Sequence, residues 1–186
     1  MSRPNEHQDT EGMRRTAVFA IVALMSSGCG SASAPAAAPD HGNVNFTDYS
    51  DNDGTKAKIV LTGAVGDYGD ALSLTSNGDA HGRRTDIDLN LTQGKFRINI
   101  ADIDKKLVDA FTHFPSNTTT CSGLVTATGT APIEAGSGTG AYQGISGHFD
   151  LTVNVNEVDV KDHCGPGAKF LSQTVVITGP GTVTLG

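Results

Sequence analysis

The chain has 186 residues, a net charge of −7, three cysteines, 23 glycines and no tryptophan. The acidic balance excludes nucleic acid as a partner and excludes electrostatic docking on anionic lipid. The missing tryptophan disfavours an aromatic sugar-binding platform, and the glycines favour many tight turns.

The first informative segment is residues 13–29, where Arg14 and Arg15 precede nine apolar residues (17–25) and then small residues ending on Cys29. Charged, apolar and small-residue regions in that order describe an export signal. Nine residues are too few to cross about 30 Å of hydrocarbon, which takes about 20. The segment resembles a bacterial lipoprotein signal, in which the cysteine is diacylated and becomes the mature N-terminus. That resemblance implies lipidation of Cys29, anchoring to the membrane through the lipid, and residence on the outer face of the cell membrane. The alternative is an ordinary secreted protein cleaved nearby. Ser26 stands where such signals usually carry Leu, and Leu24 sits two places early. Glu6, Asp9 and Glu11 suit a signal poorly, so translation is expected to start at Met13, with residues 1–28 removed as the leader.

Residues 29–43 are rich in Ser, Ala, Pro and Gly and read as the lipidated cysteine and a flexible tether. Residues 44–186 have the length of a single domain. The leader holds as many acids as bases, so the mature chain keeps the negative balance. Cys121 and Cys164 are left as an even pair in an oxidising compartment and are expected to form a disulfide. His163, Asp159 and Asp162 beside Cys164 are the only hint of a metal site there, and no metal is assigned.

Period-2 alternation dominates the domain. Ala57, Ile59, Leu61 and Val65 share one phase, with Lys58 and Thr62 facing away. Ile87, Leu89 and Leu91, the turn Thr92-Gln93-Gly94, then Phe96, Ile98 and Ile100 make the clearest hairpin. Residues 103–114 break the pattern: Ile103, Leu107, Ala110, Phe111 and Phe114 recur at helical spacing, with Asp102 as N-cap and Pro115 as the stop. This helix is expected to bury Leu107, Phe111 and Phe114 against the sheet and to close one barrel opening, leaving the other end for a ligand. Phe149, Leu151, Val153 and Val155 share a phase that Val158 and Val160 leave, which predicts a bulge or strand end near Asn156 and Glu157. Val175, Ile177, Val183 and Leu185 share a phase across Gly179-Pro180-Gly181, predicting a long strand bent or broken there. The fold expected is all-β: an antiparallel barrel of about eight strands with one short amphipathic helix, or a β-sandwich.

Gly136, Gly138 and Ala141 match a dinucleotide loop, but a strand-patterned segment follows where a helix is needed. Gly138-Thr139-Gly140-Ala141-Tyr142-Gln143-Gly144-Ile145-Ser146-Gly147 instead resembles a motif of the allene-oxide-cyclase and dirigent type of β-barrel. With Gly63-Ala64-Val65-Gly66-Asp67-Tyr68-Gly69, Cys121-Ser122-Gly123 and Cys164, it resembles a group of uncharacterised secreted actinobacterial proteins over roughly residues 59–185. The resemblance implies fold and compartment and carries no catalytic residue.

Asp48, Asp51, Asp53 and Gly54 fail as a calcium loop, because Tyr49 and Val60 occupy the positions that need carboxylates, and read as an acidic turn. Ser146 lacks the surroundings of a nucleophile. His81-Gly82-Arg83-Arg84 is a basic island, read as a solvated loop tip or an anion clamp. His113 and His148 flank predicted elements and read as surface or core residues. No catalytic, cofactor or metal residues are assigned. Three functions compete: a cell-envelope lipoprotein whose barrel binds an apolar small molecule or a surface partner, a barrel enzyme of cyclase or isomerase type, and a structural surface protein with a filled core. An empty apolar cavity favours the first, paired acid and base groups inside it the second, and a packed core the third.

Overall fold

The computed structural model describes residues 41–51, 53–75, 83–161, 163–165 and 168–186. Nine strands and one helix follow in chain order: β1 (His41–Ser50), β2 (Lys56–Gly63), β3 (Asp67–Leu74), β4 (Asp86–Leu91), β5 (Gly94–Asn99), α1 (Ala101–Phe111), β6 (Ser122–Pro132), β7 (Thr139–Gly140), β8 (Ser146–Asp159) and β9 (Phe170–Thr184). They form one antiparallel sheet in the order β6-β8-β9-β1-β2-β3-β4-β5-β7. The architecture is all-β with one short helix, as the alternation predicts.

The sheet curls around a single core without closing into a continuous ladder. Its β5 and β6 sides meet at one bridge, Ile98 with Ile133 just beyond β6. α1 leaves the end of β5 and runs back along β6, where Ile103 packs over Gly129 and Phe114 over Gly123. A Cβ on Gly129 would lie 2.8 Å from Ile103 Cγ1, so the glycine is what admits the helix. Lys106 Nζ adds a 2.8 Å hydrogen bond to the Thr128 carbonyl. The helix therefore packs on β6, along the seam of the sheet. Its N-cap is Ile100 and not the expected Asp102. The first free N–H, on Ala101, is met by Asn99 Oδ1 from two residues earlier (3.1 Å).

Alternation sets the inner face of each strand. Val44, Phe46, Ile59, Leu61, Ile87, Leu89, Phe96, Ile98, Phe149, Leu151 and Val183 are fully buried, and Phe46 meets the edge of Phe149 at 5.3 Å. The hairpin of β4 and β5 has the predicted register, Leu91 opposite Gly94 and Leu89 opposite Phe96. β9 keeps one phase across Gly179-Pro180-Gly181, but its ladder to β8 is interrupted between the pairs Phe149–Gly181 and Thr152–Thr178. Pro180 has no N–H to give there.

Three expectations need correcting. β1 begins at His41, inside the stretch read as tether, and runs through Asp48 and Ser50, both buried on the inner face. β8 does not change phase near Asn156: it keeps Glu157 and Asp159 on the inner face, leaves Val158 exposed, and shifts register only between Val158 and Asp159. Pairing with β6 and β9 on both sides holds the strand in phase past the point where its apolar residues stop. Of the helix face, Ile103 and Phe114 are buried, whereas Leu107 and Phe111 are half-buried.

Candidate functional site

The two ends of the sheet differ. One end is filled by the glycine-rich segment after β6. A Cβ on Gly138 would lie 1.8 Å from the Tyr142 carbonyl oxygen, and Gly140 has φ +62°. Only glycines permit so tight a turn, and it drives Tyr142 and Ile145 inward. Tyr142 meets Phe96 edge-on at 5.3 Å and donates its hydroxyl to Asp67 Oδ2 at 2.5 Å. Asp67 also accepts Tyr68 N–H (2.7 Å), Gln93 N–H (3.1 Å) and the Thr92 hydroxyl. Burial raises this carboxyl, but the hydrogen bonds from Thr92, Tyr142, Tyr68 and Gln93 outweigh it and hold the pKa at about 2. The same contact, with burial foremost, pushes the Tyr142 phenol well above the usual tyrosine range. Gly63 to Gly69 and the 138–147 segment, two motifs far apart in sequence, thus meet at one buried hydrogen bond.

The other end is open to a cavity of about 280 Å³. Ile103, Leu107 and Phe111 of α1 form one wall, Val153 and Val155 of β8 with Val175 and Ile177 of β9 form the facing wall, and Gly54 and Ser73 leave the space between. Helix and cavity therefore share one end of the sheet, and Tyr142 and Ile145 fill the end expected to stay open for a ligand.

Charged groups at this mouth are paired with one another. Arg84 donates to the Asp53 carbonyl (2.5 Å), to Asp53 Oδ2 (3.2 Å) and to Thr55 Oγ1 (2.5 Å). Arg83 donates to Asp104 Oδ2 at 3.1 Å. Within the basic island, Arg84 is committed to Asp53 and Thr55, whereas Arg83 is exposed and holds Asp104 through Nε alone; His81 and Gly82 lie outside the described residues. The acidic turn is organised by Arg84, with Asp53 also accepting Thr55 N–H (2.9 Å).

Asp48 lies deeper, 2 % exposed, between Ile59 and Ile177 on the neighbouring strands. Burial lifts its pKa to about 7. This acid was hidden in the sequence because the stretch reads as a turn.

Cys121 and Cys164 form the expected disulfide, with Cα atoms 5.3 Å apart. Cys29 and Asp162 lie outside the described residues. Among the described residues, no group of three or more His, Cys, Asp or Glu is placed to hold a metal ion. Ser146 opens β8 as an exposed residue, and His113 and His148 are exposed. Compared with protein-family models, curated proteins and solved structures, the chain matches none.

Proposed function

We propose that the protein is an exported, lipid-tethered domain of the cell envelope that binds a small apolar ligand in the cavity beneath α1. Kinship with the secreted actinobacterial group, and more distantly with allene-oxide-cyclase and dirigent barrels, belongs to the same reading. The cavity carries it: eight aliphatic or aromatic side chains from α1, β8 and β9 line about 280 Å³ of space. A 150 Å³ cavity of this kind holds benzene, so the volume suits a ligand of about a dozen non-hydrogen atoms. An unfilled apolar space of that size costs stability, which a ligand would restore. The enzyme reading has less support, because among the described residues the charged groups at the mouth pair with one another, Arg83 with Asp104 and Arg84 with Asp53. A surface role has one observation in its favour, the exposed Tyr68 and Val60 paired on the outer face of β3 and β2.

Native mass spectrometry of protein purified from its own host tests the ligand. A co-purifying mass released on denaturation is expected; protein that is ligand-free from its host contradicts the proposal. The tether is tested separately by detergent-phase partitioning. Wild type is expected in the detergent phase and Cys29→Ala in the aqueous phase, and equal aqueous partitioning of both would sink the lipoprotein assignment.

A further inference from the structure

The polar side of the cavity is built from Asp53, Gly54, Ser73, Arg84, Asp104 and Gln173. Its charges cancel. Arg84 pairs with Asp53 at 3.2 Å, and Asp104 pairs with the exposed Arg83 at 3.1 Å. Ser73 spends its hydroxyl proton on the Gly54 carbonyl (3.0 Å), and Gln173 turns its Nε2 to Glu157. An ionised ligand head would leave water only to meet a like charge beside each opposite one. An ammonium would face Arg84, and a carboxylate would face Asp53 and Asp104.

Two of these groups keep unused hydrogen-bonding capacity. Arg84 gives one Nη1 hydrogen to the Asp53 carbonyl, and its Nη2 hydrogens go to Asp53 Oδ2 and Thr55 Oγ1. Its Nε–H and second Nη1–H have no acceptor among the described residues. Asp104 is the acceptor counterpart. Its side chain is 13 % exposed, Oδ2 accepts Arg83 Nε–H, and Oδ1 receives no hydrogen bond among the described residues. Burial raises this carboxyl, and the pull of Arg83 and Arg84 does not fully offset it. Arg84 is thus close enough to act on the charge of Asp104. A donor and an acceptor with spare capacity stand near one another on the wall of the same apolar space.

We propose that the ligand is an uncharged aliphatic alcohol, its chain in the cavity and its hydroxyl donating to Asp104 while accepting from Arg84. This rests on the ligand-binding reading above. A hydroxyl carries one donor and two acceptor lone pairs, so it serves both groups at once. An ether accepts from Arg84 but leaves Asp104 without its donor.

Isothermal titration at pH 7 with hexanol, its isomer methyl pentyl ether, hexylamine and hexanoate tests this on wild type, Asp104→Asn and Asp104→Leu. Hexanol is expected to bind wild type about tenfold more tightly than the ether, although the ether is the more apolar, and more tightly than either ion. Asp104→Asn keeps a weaker acceptor and should narrow that gap. Asp104→Leu should close it, with hexanoate gaining on hexylamine as the mouth turns positive. Ether binding common to all three proteins reports an intact cavity. Wild type binding the ether as tightly as hexanol, or either ion more tightly, overturns the alcohol inference and leaves the cavity reading standing, as does a gap that survives in Asp104→Leu. Binding of none of the four probes to wild type overturns both.

Discussion

Asp48→Asn is expected to stabilise the domain by about 4 kcal/mol at pH 8 and to leave it almost unchanged at pH 4. Buried between Ile59 and Ile177, the carboxyl has its pKa lifted from 3.8 to about 7 in the folded chain. Each unit of that difference is worth about 1.4 kcal/mol, which gives the magnitude. Between pH 4 and 7 the folded state keeps the proton that the unfolded chain has released. Stability is therefore fully present below about pH 4, falls as pH rises to about 7, and is level above. Asp67 acts in the opposite sense: its carboxyl is held at about 2, so its contribution is present above pH 4 and is lost as pH falls through 2. The two together place the wild-type optimum near pH 4 to 5. Urea denaturation followed by far-ultraviolet circular dichroism, at pH 4.5 and 8, checks this. Parallel pH profiles for wild type and Asp48→Asn would refute it.

Removing the disulfide should cost about 4 kcal/mol, the loop-entropy value for cysteines 43 residues apart. Cys121 is fully buried at the start of β6, has φ +50°, and accepts the Asp159 N–H through its carbonyl at 2.8 Å. The bond thus pins the end of β8 and, with it, the inner-face acids. Urea denaturation of Cys121→Ala/Cys164→Ala against the oxidised wild type measures the loss. A difference below about 1 kcal/mol would show that the cross-link does not constrain the unfolded chain as assumed.

The strands legible in the sequence are those whose inner faces are aliphatic at every second position: β2, β4, β5, β8 and β9. β3 and β6 stayed hidden because their inner faces carry Ala71, Ser73, Ala127 and Ala131, small residues that leave little hydropathy contrast. β1 stayed partly hidden because Asp48 and Ser50 point inward where apolar residues are expected. Valines 158 and 160 misled the phase of β8, since local hydropathy is overruled by hydrogen-bonded neighbours on both sides. The helix was legible from its 3.6-residue spacing, but its place along β6 depends on Gly129 and Gly123, which touch it only in the fold.

Little of the site was legible, for a different reason. Leu107, Val153, Val175 and Ile177 read as ordinary core residues, and so they are. The space between them arises from small partners, Gly54 and Ser73, brought opposite by the curl of the sheet. Periodicity reports which face is buried and carries no record of volume. The Tyr142–Asp67 contact joins residues 75 apart, which no local pattern reveals.

The central claim is that the space beneath α1 takes an apolar ligand. Titrating hexanol into methyl-labelled protein and following its methyl resonances tests this most directly. Saturable shifts are predicted for Ile103, Leu107, Val153, Val155, Val175 and Ile177. Shifts that never saturate, or that fall instead on the outward-facing Val60, Leu124 and Leu171, would contradict it.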